Sequence, residues 1–161
     1  VNGSATFSCQ FNDVFISNEL VLSENADEFC ELIRPIFILY QIPLGVGVIK
    51  ASIDSIHKVA TRQNGCNQFL RTQSSDIELQ VQQIEEKIAQ HLRKNTVHWK
   101  EIAQIRLETA YLTLEATQAS MLHNGSAGYL QNCEPSRRLR EAYFFANLTP
   151  TIKHLEKVLT N

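Results

Sequence analysis

Hydrophobic and polar positions alternate near the start of the chain. Phe7, Cys9 and Phe11 are interleaved with Thr6, Ser8, Gln10 and Asn12, and Val14 and Ile16 continue the pattern past Asp13. A period of two predicts a β-strand. A single strand neither satisfies its own backbone nor buries its face, and even an isolated hairpin is marginal. Its partners are therefore expected in a missing part of the polypeptide or in another chain.

From about Ala26 the period changes to three and four, which predicts helix. The first helical region is expected to reach about Arg62, with Phe29, Ile33, Phe37, Leu44, Val48, Ile53, Ile56 and Val59 at its apolar positions. Pro35 falls near the first turns, where a missing N–H is tolerated, whereas Pro43 should kink or split the helix. A polar stretch follows from Arg62 to Ser75, with Asn64-Gly65 as its turn signal. Ile77, Val81, Ile84, Ile88 and Leu92 then form the clearest amphipathic stripe, and Ser75 and Glu78 have the spacing of a capping box. A break is expected near Asn95-Thr96.

The third helix is predicted from about His98 to His123 and is apolar on two faces. One face carries Ile102, Ile105, Leu112, Ala116 and Ala119, and the other Ala103, Leu107, Ala110, Leu114 and Met121. Two apolar faces imply neighbours on both sides, as inside a bundle. Asn124-Gly125 is a stop signal. A last helical region begins near Glu134-Pro135-Ser136, is interrupted by Pro150, and resumes from Thr151 to Leu159. The expected fold is mainly α, an antiparallel four-helix bundle with a short N-terminal β segment.

Composition narrows the function classes. The 161 residues are 43% hydrophobic and 20% charged, an ordinary globular balance. A net charge of −2 carries no basic footprint for nucleic acid. The first residue is Val1 and no secretory pattern is seen, so a piece of a longer polypeptide is expected. Cys9, Cys30, Cys66 and Cys133 form no CxxC pair, so free thiols and a cytoplasmic, reducing location are expected. The sequons at Asn2, Asn124 and Asn147 are short patterns that carry no weight without a secretory signal. His57, His91, His98, His123 and His154 lack metal-ligand spacing and are expected at the surface or the bundle rim, with no metal site. The uncharged run from Pro35 to Ile49 is too short for a membrane span, which predicts a helix buried on all sides.

Three segments, in order, resemble one family. Phe11-Asn12-Asp13-Val14-Phe15-Ile16, followed by Val21-Leu22, resembles the closing strand of the β-domain in acyl-CoA dehydrogenases. Ile33-Arg34-Pro35 resembles the start of that family's first C-terminal helix. Gly125, Gly128 and Tyr129, followed by Pro135-Ser136-Arg137-Arg138-Leu139-Arg140-Glu141-Ala142, resemble its glycine loop and the helix after it. The resemblance runs over about residues 5 to 159. It implies that residues 1–23 end a mostly absent β-domain and that residues 24–161 form the C-terminal helical bundle. It also implies FAD held between β-domain and bundle, with neighbouring subunits completing the site. The implied chemistry removes hydrogens from the α and β carbons of an acyl-CoA thioester.

The resemblance assigns candidate sites residue by residue. The family's glutamate base, in a loop ahead of the final helix, falls on Asn147, and an amide cannot take the α-proton. The family's second base position falls on Ile33. No acid occurs between Glu141 and Glu156. Arg34 matches an arginine near the acyl substrate, although an ion pair with Glu31 accounts for it equally well. Gly125 and Ser126 correspond to a glycine pair approaching the FAD of a neighbouring subunit; a helix C-cap is the plainer explanation. Thr149 and Thr151 fall at FAD contacts, and Thr151 replaces the usual glutamine; Thr149 as an N-cap before Ile152 is the plainer explanation. Arg62 stands in for the arginine of an unpreserved phosphate-holding pattern. Arg137, Arg138 and Arg140 are expected to pair with Glu134 and Glu141. The parent is thus expected to be an acyl-CoA dehydrogenase-like oxidoreductase lacking its base, inactive as this piece alone. A flavin-dependent monooxygenase of the same fold and a non-catalytic oligomerisation or binding module are the alternatives. Self-association through the bundle is expected in each case.

Overall fold

The computed structural model describes residues 7–93 and 98–160, apart from the side chain of Gln63. Among them are five α-helices: α1 (Ala26–His57), α2 (Ser74–Arg93), α3 (Trp99–Asn124), α4 (Glu134–Asn147) and α5 (Ile152–Thr160). No strand forms among the described residues. Residues 7–17 are irregular, and Asp13 takes a positive φ of 51° in the middle of the expected alternation. The physical reason is the one that made the strand an orphan: among the described residues no second strand is available to pair with it. Thr6, Asn2 and the break at Asn95-Thr96 lie outside the described residues.

Cross-helix contacts give the directions of the helices. Gln41 meets Arg106 and Ser55 meets Asn124, so α1 and α3 run parallel. Lys50 meets Glu85 and His57 meets Ser74, so α2 runs back along α1. Arg106 meets the Phe145 carbonyl and Lys58 meets Glu134, so α4 also runs antiparallel to that pair. The result is a bundle-like up-down-up-down arrangement, with α3 in contact with every other α-helix.

Helix ends follow local chemistry. The Asn25 carboxamide accepts from the Glu28 N–H at 3.3 Å and caps α1. α1 continues unbroken through Pro35 and Pro43, so the expected split does not occur. The capping box at Ser75 is not formed either. α2 starts one residue earlier, and Asp76 accepts from the Gln73 N–H at 3.1 Å. The 3-10 turn at Gln63–Phe69 places Asn64 and Gly65 at φ 54° and 76°, as the Asn-Gly signal requires. Gly125 ends α3 at φ 57° and ψ −142°, a conformation nearly closed to residues with a Cβ.

The core is built from the inner faces of α1, α2 and α3: Ile38, Ile42, Ile49, Ile53 and Ile56 against Ile77, Val81 and Ile84, and against Ile102, Ile105 and Leu112. On α2 the expected stripe is buried through Ile84, is half-buried at Ile88 and reaches solvent at Leu92. Both expected faces of α3 are at least half-buried. α1 departs from expectation. Its N-terminal half is not buried on all sides, and Leu32, Ile36, Phe37, Tyr40 and Leu44 are exposed, Tyr40 by 78%. α1 is also long and apolar enough to cross a membrane, with a mean hydropathy of 1.8 over its best window. Core helices of soluble proteins pass the same test of length and composition.

Candidate functional site

A cavity of about 390 Å³ opens at the end of the bundle where α1 and α3 begin. The first turns of α1 contribute Cys30, Ile33, Arg34, Phe37 and Ile38. Trp99 comes from the start of α3, Thr149 and Pro150 from the loop between α4 and α5, and His154 from α5. Most of the wall is apolar, with a few convergent polar groups, as in small-molecule sites. No Asp or Glu lines it among the described residues.

The helical geometry explains this lining. Residues at i, i+3 and i+4 share a face, so Cys30, Ile33, Arg34, Phe37 and Ile38 present one strip of α1. Arg34 forms an ion pair with Glu31, as its plainer explanation requires, and its guanidinium lies 5.1 Å from the centre of the Trp99 ring. This cation–π contact joins α1 to the start of α3. The exposed Arg34–Glu31 pair adds little to stability. It does set the local charge: Glu31 reaches Arg34 rather than the cavity interior.

Beneath the cavity lies a polar group that has no counterpart in the expected site. Arg106, in the middle of α3, is fully buried. Its Nε–H donates to Gln41 Oε1 at 3.2 Å, and Nη2–H donates to the Phe145 carbonyl at 2.8 Å. The guanidinium lies 3.6 Å from the centre of the Phe145 ring, and Nη1 has no partner among the described residues. Burial lowers the Arg106 pKa to about 10. Gln41, itself buried, donates from Nε2 to the Thr149 carbonyl at 2.8 Å. The partners dictate this amide orientation, since a guanidinium only donates and a carbonyl only accepts. Thr109, Thr113 and Thr117 continue the buried polar row along α3, each hydroxyl donating to the carbonyl four residues back.

The residues picked from the sequence separate into two groups. Ile33, Arg34 and Thr149 meet at the cavity. Thr151 is adjacent in sequence, but its hydroxyl caps α5 by accepting from the His154 N–H at 3.3 Å. The cap expected at Thr149 is therefore made by Thr151. Asn147 is exposed at the end of α4, donates to the Tyr143 carbonyl at 2.8 Å, and does not line the cavity. Arg62, Gly125 and Ser126 lie at the opposite end, after the C-termini of α1 and α3. At 1.5 Å per residue, a helix of α3's length puts the two ends roughly 40 Å apart. Gly125 is the C-cap of α3, Arg62 is exposed, and no side chain from the cavity group reaches either.

Other expectations resolve individually. Arg138 pairs with Glu141 at 2.6 Å and Arg137 with the same carboxylate at 3.7 Å, while Glu134 is taken by Lys58. His123 is not a rim residue. It is 4% exposed, with Nε2 at 3.0 Å from the Thr72 carbonyl. Nearby, Asn67 donates to the carbonyls of Val59 at 2.9 Å and of His123 at 3.1 Å, stitching the ends of α1 and α3 together. No group of His, Cys, Asp and Glu residues suited to a metal occurs among the described residues. Sequence reasoning missed Trp99, His154 and the Arg106–Gln41 pair. The available signal was an arginine and threonines at helical spacing inside an otherwise apolar helix. Compared with protein-family models and with curated proteins, the chain finds no match.

Proposed function

We propose that this chain is the helical C-terminal part of an acyl-CoA dehydrogenase-like flavoprotein, and that its cavity takes the acyl end of a CoA thioester. The observation that carries this reading is the meeting of Ile33, Arg34 and Thr149 on one apolar cavity. The resemblance assigns these residues to the acyl and flavin end of the family's site, and they come from opposite ends of the chain. The apolar wall of Phe37, Ile38, Trp99 and Pro150 suits a hydrocarbon chain and excludes water from it. Arg34, paired with Glu31, brings a guanidinium to the rim.

FAD, when bound, supplies the hydride acceptor. The polar groups near the cavity that suit it are the Thr149 and Thr151 hydroxyls. Arg62, Gly125 and Ser126 stand too far away to serve the same flavin, which accords with a site completed by neighbouring subunits. Gly125, without a Cβ, allows another subunit's ligand to approach its backbone closely. Self-association is thus part of the proposal.

One observation favours a second reading of the chemistry. No carboxylate lines the cavity among the described residues, so the glutamate base that the resemblance implies has no counterpart there; His154 is the lining group able to accept a proton. On this reading dehydrogenase activity is weak, while flavin and thioester binding are retained. A flavin-dependent monooxygenase of the same fold, which does not need that base, fits the same cavity.

The test uses the full-length natural protein. Trp99 is the only tryptophan of this chain and lies on the cavity. The expected result is a yellow protein whose Trp99 emission is quenched on titration with dodecanoyl-CoA, with little bleaching of the flavin. A tryptophan placed elsewhere in the parent is first replaced by phenylalanine. A colourless protein whose Trp99 emission ignores dodecanoyl-CoA would overturn the proposal and leave a non-catalytic bundle.

A further inference from the structure

We propose that Arg106, acting through Gln41, is a positioning residue that holds the α4–α5 loop as the wall of the cavity. The inference rests on reading that cavity as a ligand site. Its starting point is an anomaly in the core. A fully buried guanidinium without a carboxylate partner is destabilising, and apolar side chains of similar volume commonly replace buried charges without loss. What Arg106 does make is specific. Two other helices reach it, through the Gln41 side chain of α1 and the Phe145 carbonyl near the end of α4.

The connection runs onward to the cavity. Arg106 can only donate, so it turns the acceptor end of the Gln41 amide toward itself. The donor end is then left facing the Thr149 carbonyl, which it reaches at 2.8 Å. Thr149 and Pro150 are cavity residues, whereas Arg106 and Gln41 are not. Arg106 therefore touches no ligand and acts on the cavity through one amide. It also anchors the same loop from its other side, through the Phe145 carbonyl that precedes it.

Gln41→Glu separates positioning from packing. The carboxylate still accepts from Arg106 and now neutralises it, so the core contact is kept or strengthened. It has no N–H for the Thr149 carbonyl and repels that oxygen. If Gln41 positions the loop, Gln41→Glu melts at or above the wild-type temperature, acrylamide quenches Trp99 more strongly in the ligand-free protein, and dodecanoyl-CoA binds about tenfold more weakly, equivalent to about 1.4 kcal/mol. Unchanged acrylamide quenching, at an unchanged or raised melting temperature, would overturn the proposal. If the variant melts early, amide hydrogen exchange decides. Acceleration confined to Thr149–Leu155 upholds it, and uniform acceleration along the chain overturns it. The ligand-free measurements stand even if wild-type protein ignores dodecanoyl-CoA, so failure of the cavity reading remains distinguishable.

Discussion

Ile33 and Asn147 are the two positions where the family resemblance looks for a general base, and their surroundings differ. Ile33 lines the cavity, while Asn147 is exposed beyond it and bonded to its own helix. A carboxylate works as a base only within hydrogen-bond reach of the proton it removes. In the full-length protein, Ile33→Glu should therefore introduce flavin bleaching by dodecanoyl-CoA, a gain of about 100-fold or more over wild type. Asn147→Glu should give none. Stopped-flow absorbance in the flavin band measures both, and bleaching by the Asn147 variant alone would reverse the assignment. Asn147 was legible as a non-acid from sequence, but its distance from the cavity was not. A loop residue's direction depends on how the next helix docks, and here α5 is anchored by the fully buried Leu155.

α1 shows how much a helix's pattern leaves open. Its stretch from Pro35 to Ile49 carries no charge and is apolar on most sides, so periodicity cannot select the buried face. The choice falls to contacts with α3 and α4, which bury Ile38, Gln41, Ile42, Gly45 and Ile49 and leave Phe37 and Leu44 outside. Gly45 marks the closest approach. A Cβ there would meet Phe145 Cζ and Thr109 Cγ2, each at 2.8 Å. Gly45→Ala should thus push Phe145 away from α1 and disturb the carbonyl that holds Arg106. A loss of about 1–3 kcal/mol is expected for such overpacking, measured by urea unfolding. Gly47 on the same helix has open space at its Cβ, so Gly47→Ala should be neutral or slightly stabilising. By contrast, α2 was readable almost completely, because a helix with one apolar and one polar face offers a single way to pack.

On the scale of the whole molecule, an apolar strip of α1 remains uncovered, with Leu32, Ile36, Tyr40 and Leu44 as its exposed members. Phe7, Phe11, Phe15 and Leu22 of the irregular N-terminal segment are exposed as well. Surfaces of this kind drive association unless another domain or subunit covers them. The isolated 161-residue chain should therefore sediment as oligomers. Replacing Tyr40 and Leu44 by lysine should shift it toward monomer with little change in unfolding midpoint, since neither side chain supports the core. Analytical ultracentrifugation alongside thermal unfolding checks both halves. A wild-type chain that sediments only as monomer at high micromolar concentration would count against a role for this strip in assembly.

The sequence by itself determined the helical class and the approximate span of most α-helices, because periodicity and Asn-Gly turns act within a few residues; the strand expected near Phe7 and the split expected at Pro43 did not form. It also determined the absence of a carboxylate near Asn147, which needs only the order of residues. Tertiary structure decided which face of α1 is buried and gathered Ile33, Arg34, Thr149, Trp99 and His154 around one cavity. It also buried Arg106 beneath that cavity, against Gln41. These outcomes depend on helices distant in sequence meeting at chosen angles. Local patterns do not encode such meetings, because the same apolar residues satisfy several packings until glycine contacts and buried hydrogen bonds select one.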